Sequence, residues 1–358
     1  MELSRTGCIA RVNLGASTRK ISVAVACILA FACARSDAVE PSGPLGLRNF
    51  QPLRQIFLHP PFVAARVLEP GRLRFSVETA ESNVIATDRG AVDALLKFEQ
   101  NRTALRLSLG LAPAWQASVE LPLLSRFGGV LDPVIDSTED LFSAFNPERR
   151  LFPNNTFGGF WVRRRGQVLF HGPRQYAELG DVSGEVQREV WSGASGGRLA
   201  ARFAIEAPTG RSSAVWGSGI WEVASGVAGD YPLWSDRLWV YGNLNGVFPL
   251  GRVSAARLAL DPFLQQTVAF ERMASKRWSF LLQQELYTSP FRELHSAVLE
   301  GTIIELAVGV VYRDGPWRCW LGGIDNVSGV AQAADFTAIV GCDLTMRPRW
   351  NRRVDEPL

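Results

Sequence analysis

The sequence predicts an all-β fold, an antiparallel transmembrane β-barrel of 12–14 strands, and three observations predict it. From Gly71 onward, apolar and polar residues alternate, as in strands that present one oily face. All eleven tryptophans follow residue 38, several near predicted strand ends (Trp115, Trp278, Trp317, Trp350), where interfacial girdles place them. An export-type N-terminus is followed by no apolar run of membrane-helix length, which leaves any crossing to strands.

Alternation alone fits a soluble sandwich equally well, because a second sheet covers one face as lipid does. The other two observations favour lipid. Backbone groups in hydrocarbon have no water to bond, so the sheet must have no open edge and its last strand must pair with its first.

Residues 1–38 read as a signal peptide. Basic residues ending in Arg19-Lys20 precede the apolar run Ile21–Ala34, too short to span a bilayer, for which about 20 residues are needed. Cleavage after Ala38 is favoured, because Val39-Glu40-Pro41 opens a turn-rich segment; Ala34 is the other small-residue site. A lipoprotein signal at Cys27 or Cys33 lacks the leucine three residues upstream. A buried helix of a cytosolic protein is the bland alternative.

The formal charge of +3 resides in this segment: without residues 1–38 the chain holds 33 basic and 33 acidic residues. No nucleic-acid partner is therefore expected. The partners expected are outer-membrane lipid and the barrel-assembly machinery. Past the signal, Cys319 and Cys342 make neither a disulfide framework nor a zinc site. They fall on neighbouring predicted strands, so one bridge is open to them.

Residues 39–70 are rich in proline and lack a regular period; they read as an irregular lead-in able to fold back as a periplasmic plug. Residues 71–350 form the barrel. Leu73, Phe75 and Val77 alternate with Arg72, Arg74 and Glu78. Leu105–Leu111 and Trp115–Leu121 form a hairpin around Ala112-Pro113-Ala114, with Arg106 and Glu120 on its polar face. Leu199–Ile205 repeats the pattern against Arg198, Arg202 and Glu206, and Ile304–Val310 against Glu305. Further strands are expected near 156–163, 181–191, 218–227, 237–247, 264–272, 278–287 and 317–324, with Val168–Phe170 a weak extra candidate. Phe336, Val340 and Leu344 form the oily face of the closing strand, with Trp350 beyond it. Residues 351–358 are a polar tail.

Short turns at Ala112–Ala114, Ala274–Lys276 and Arg313–Pro316 alternate with long loops such as Ser125–Asn155 and Pro208–Trp216, as in membrane barrels. Within the longest loop, Asp132–Phe145 reads as a helix. Asp132 caps it, Pro133 sits at its first position, and Val134, Thr138, Leu141, Phe142 and Phe145 share a stripe.

Several stretches resemble an uncharacterised family of outer-membrane β-barrel proteins, domain-of-unknown-function family 3187. They are RNFQPL (48–53), VELPLLSRFGGVLDPVIDSTEDLF (119–142), IEAPTG (205–210), GSGIWEV (217–223) and DFTAIVGCDL (335–344). The resemblance implies an outer-membrane barrel with no assigned activity. The family pattern is departed from at the end, where NRRVDEPL follows Trp350 instead of the chain closing on an aromatic residue.

Chemistry is sparse. No cofactor and no metal is expected. His295-Ser296 is the one base–nucleophile juxtaposition, and adjacent strand residues point to opposite faces. Asp132, Asp136, Glu139 and Asp140 lack calcium-loop spacing and read as a solvated acidic face. The lumen is the remaining site, lined by Arg72, Arg74, Glu78, Arg106, Glu120, Arg198, Arg202, Glu206 and Glu305. On these grounds the expected role is a channel or transport barrel for small or amphipathic solutes. A closed structural or surface-binding barrel, and behind it a lipid-modifying enzyme, are the alternatives.

Overall fold

The computed structural model describes residues 41–142, 149–233, 237–253, 257–291, 294, 296, 298–328 and 333–348. The expected signal peptide, His295, Trp350 and the tail 351–358 lie outside the described residues.

The strands, in chain order, are β1 (Leu73–Asp88), β2 (Val92–Ala112), β3 (Trp115–Phe127), β4 (Gly159–Arg164), β5 (Gln167–His171) and β6 (Gln175–Leu179). Then come β7 (Val182–Ser192), β8 (Arg198–Ala207), β9 (Glu222–Leu233), β10 (Leu238–Pro249), β11 (Arg252–Val253) and β12 (Leu258–Ala259). The last are β13 (Phe263–Met273), β14 (Trp278–Tyr287), β15 (Ile303–Asp314), β16 (Trp317–Asn326) and β17 (Phe336–Met346). Twelve of them, β1–β3, β7–β10 and β13–β17, form a closed antiparallel barrel. Closure runs from Leu73 opposite Met346 to Asn83 opposite Phe336, so β1 and β17 leave no edge along this stretch.

The 156–163 and 168–170 segments are not wall strands, which corrects their assignment and leaves the wall at twelve, within the expected 12–14. They form the β4–β5 hairpin, and β4 pairs with the Val92–Lys97 end of β2. The physical reason is length. β2 is 21 residues long, about twice what a bilayer crossing takes. Its first residues rise past the end of β3 and offer an edge that β4 fills.

Alternation then sorts the side chains. Leu107, Val119, Phe203, Phe270, Val308 and Val340 stand exposed on the outer face. Trp115, Trp191, Tyr231, Trp278 and Trp317 are exposed beside the short turns, an aromatic belt at that rim. The opposite rim carries the long loops, and these fold inward. Phe98, Phe160, Leu169, Phe170 and Phe291 join one buried cluster with Leu45, Phe50 and Leu53 from the N-terminal segment.

Cys319 and Cys342 face each other across β16 and β17 and form a disulfide. Among the described residues no helix is long and apolar enough to cross a membrane, which says nothing of crossing by strands. Helix α1 spans Pro52–Gln55 and α2 spans Asp132–Phe142. Of the stripe expected on α2, Val134 is exposed and its neighbour Ile135 is buried, while the side chains at 138–145 lie outside those described.

Candidate functional site in the bore

Residues 41–70 occupy the bore. Six prolines, four of them at Pro41, Pro44, Pro60 and Pro61, deny this segment a continuous ladder of its own. Its buried main-chain groups therefore depend on partners from the wall. Near the turn-side rim, Ser42 and Gly43 donate their N–H groups to Glu271 on β13 (2.9 and 3.1 Å). Arg318 on β16 donates to the carbonyls of Gly43 and Pro44 (3.0 and 2.7 Å). Leu45 N–H meets Gln283 Oε1 at 2.7 Å. Beside it the wall is glycine: a Cβ on Gly309 would stand 2.6 Å from Leu45 Cδ1, and one on Gly322 3.1 Å.

The segment reaches the loop side at α1. Gln51 caps that helix by accepting from Leu53 and Arg54 N–H, with Pro52 in the position that lacks a needed donor. Buried Arg54 donates to Ser289 Oγ (2.8 Å) and to the Leu299 carbonyl (2.6 Å), tying the apex to the β14–β15 loop. Phe57 packs edge-on against Phe291 and Phe263. From Leu58 the chain descends past β9, β8, β10 and β7 to Leu68, which bonds Gln116 on β3.

The predicted lumen residues divide by position. Glu120 is buried and gathers Arg48 from the segment (2.8 Å) together with Arg102 and Arg106. Arg106 and Arg202 converge on Glu185 (both 2.7 Å). Arg74 donates to Thr345 Oγ1 at 3.2 Å. Glu78 lies 3.4 Å from where a Cβ on Gly46 would stand. Glu206 faces Glu222 directly across β8 and β9, and Glu305 faces Glu285 across β14 and β15; all four are buried. Arg198 pairs with Glu189 (2.8 Å). Arg72 precedes β1 and is half-exposed at the rim, paired with Glu69 at 2.8 Å. Of the lipid-facing set, Val340 is exposed, and Phe336 and Leu344 share its parity.

Sequence reasoning missed the wall groups that hold the segment: Gln116, Gln187, Glu222, Asp230, Asn243, Glu271, Gln283 and Arg318. A signal for them exists, since they occupy the polar parity of their strands. Several are amides, and charge counting passes over amides.

The loop side carries a second polar centre. Asp132 is buried and not solvated as expected. Its carboxylate accepts from Lys97 Nζ (2.6 Å), Arg149 Nη1, Asn83 Nδ2 and Asn155 N–H (each 2.7 Å). Arg149 also pairs with Asp335. Burial pushes the Asp132 carboxyl up, but Lys97, the Asn155 N–H and Asn83 outweigh it and hold it below its ordinary value. Nearby, Arg126 is fully buried, donates to the Ala214 and Val215 carbonyls, and stacks over Trp216. Ser296, the nucleophile considered above, donates to Asp88 Oδ2 at 2.7 Å, while His295 lies outside the described residues. Among the described residues no three His, Cys, Asp or Glu are grouped to hold a metal.

The family described as "Protein of unknown function (DUF3187)" matches residues 19–147. The resemblance seen in the sequence is borne out over that part of the chain. The match takes in the 48–53 and 119–142 stretches; the three later stretches lie beyond it. No curated protein matches. Among solved structures, a COG4313 outer membrane channel from Pseudomonas putida F1 superposes with a TM-score of 0.55 at 11% identity, covering 79% of this chain and 98% of that one. The NanC porin is 11% identical, with a TM-score of 0.45 and coverage of 75% and 98%. The KdgM porin is 10% identical, with a TM-score of 0.40 and the same coverage. The first likeness shows a shared β-barrel fold; the two porins superpose too loosely to add to it.

Proposed function

We propose that this protein is an outer-membrane channel for small or amphipathic solutes, held shut in this conformation by residues 41–70. Seated in outer-membrane lipid after delivery by the barrel-assembly machinery, it would conduct when that segment shifts. One observation carries the reading: the obstruction is a loop of the chain's own N-terminus, tied to the wall by hydrogen bonds and ion pairs and not by a covalent link. A twelve-strand wall around such a segment supports a gated bore, and the similar Pseudomonas putida protein is an outer membrane channel.

The filled bore also favours a second reading, a permanently closed barrel. Planar-bilayer recording decides between them. The wild-type chain should show rare openings, and Arg54→Ala, which frees the apex, should open more often. If neither that variant nor a chain lacking residues 41–70 conducts, although both migrate as folded barrels, the channel reading falls and the closed barrel stands.

A further inference from the structure

The hydrogen bonds described between the wall and the descending limb fall on the limb's main chain. Glu222 accepts the Leu58 N–H at 3.0 Å. Arg202 Nη2 donates to the Pro61 carbonyl at 2.8 Å. Asn243 accepts from Val63 N–H (3.2 Å) and donates to Val63 O (2.9 Å), as a neighbouring strand would. Gln187 donates to the carbonyls of Ala64 and Ala65 (2.8 and 3.0 Å). Asp230 accepts from Ala65 and Arg66 N–H (2.8 and 3.2 Å), and Gln116 from Leu68 N–H (2.9 Å).

These six side chains come from β3, β7, β8, β9 and β10, all on the inner face. They present acceptors where the segment has N–H groups and donors where it has carbonyls. At Pro60-Pro61, where the segment lacks N–H groups, the bond described from the wall is a donor, that of Arg202. Val63, Ala64 and Val67 remain partly accessible and Arg66 is exposed, whereas Leu58, His59, Phe62, Ala65 and Leu68 are buried. A wall that bonds the backbone and encloses only some of the side chains recognises an extended conformation and selects side chains at the buried positions.

We infer that this half of the bore is a binding site for extended, proline-containing polypeptide, of which residues 58–68 are the resident ligand. The inference rests on the proposed function in one respect: the segment must be able to leave. Another polypeptide of the same backbone character can then take its place.

The test keeps the full chain. A protease-recognition sequence is inserted at the exposed Glu69-Pro70 pair, and the folded barrel is cut in lipid so that the segment stays bound without a tether. A fluorescent synthetic copy of residues 58–68, acylated at its N-terminus so that Leu58 keeps an amide N–H, is added, and its anisotropy is followed. Saturable uptake is expected. A copy N-methylated at Leu58 and Ala65 should bind at least about tenfold more weakly, having lost two hydrogen bonds to carboxylates. A copy with alanine in place of the partly accessible Val63 and Val67 should bind within about threefold. Absence of uptake, or greater sensitivity to the side chains than to the methyl groups, overturns the inference. Conductance recorded in parallel reads the channel proposal separately: current without uptake defeats only the binding site, and uptake without current defeats only the channel. Should the insertion prevent folding, the peptide is titrated against the intact Arg54→Ala chain, with amide hydrogen exchange at Ala65 as readout. Faster exchange supports the site and unchanged exchange overturns it.

Discussion

The two halves of the bore hold the same segment by different physics. On the loop side, Leu47, Phe50, Leu53, Ile56 and Phe57 are almost wholly inaccessible and pack into the aromatic cluster under the loops. On the turn side Phe62, Ala65 and Leu68 are buried, but Gly46, Val63, Ala64 and Val67 retain accessible surface, and carboxylates, amides and Arg318 supply the directed grip. The first half is a dry seal, in which dispersion and burial act without direction. The second is a wetter cradle of directional bonds. Each such bond competes with water and contributes little net stability. A segment so held should loosen at the cradle first and at the seal last.

The largest expected effect lies in the cap over the seal. Asp132→Ala leaves Lys97 and Arg149 buried without their shared carboxylate, and should cost about 3–5 kcal/mol. Unfolding by urea from lipid vesicles measures it; a loss below about 1 kcal/mol would mean that the cluster does not secure the cap. Within the seal, Leu53→Ala should cost about 2–5 kcal/mol and raise leak current in the same bilayers. On the outer face, Val340→Arg tests the lipid contact directly and should cost about 2–4 kcal/mol if the residue lies near the bilayer midplane.

Acid provides a smaller and reversible test. The folded Asp132 value lies below its unfolded value, so its stabilisation is present at neutral pH and is lost as pH falls through the acid range below the ordinary aspartate value. Hydrogen exchange of the cap should quicken there while the wall strands hold. The smallest effect belongs to the cradle: Val63→Ala should change stability by about 1 kcal/mol or less. If Val63→Ala proves as costly as Leu53→Ala, the contrast between the halves is wrong.

Much of the wall was legible without coordinates. The alternation Leu105, Arg106, Leu107 places its residues on opposite faces by local geometry alone, and the requirement for closure predicts the β1–β17 pairing. The errors have a common cause. The 156–163 stretch alternates as a wall strand does, yet it pairs beside an over-long β2 that only the folded barrel provides. Asp132 looks like a surface helix cap until Lys97, Asn83 and Arg149 arrive around it from three other segments. Residues 41–70 carry no period, because no neighbour within the segment dictates their conformation.

The sequence by itself determined the strands, their two faces and the wall they make, because a period of two residues is a property of the extended chain. Only the tertiary structure decided what fills that wall. Partners such as Ser42 with Glu271, or Ala65 with Asp230, are separated by 229 and 165 residues. Their meeting follows from barrel closure and from the need of buried main-chain groups for a bond, and no local pattern encodes either.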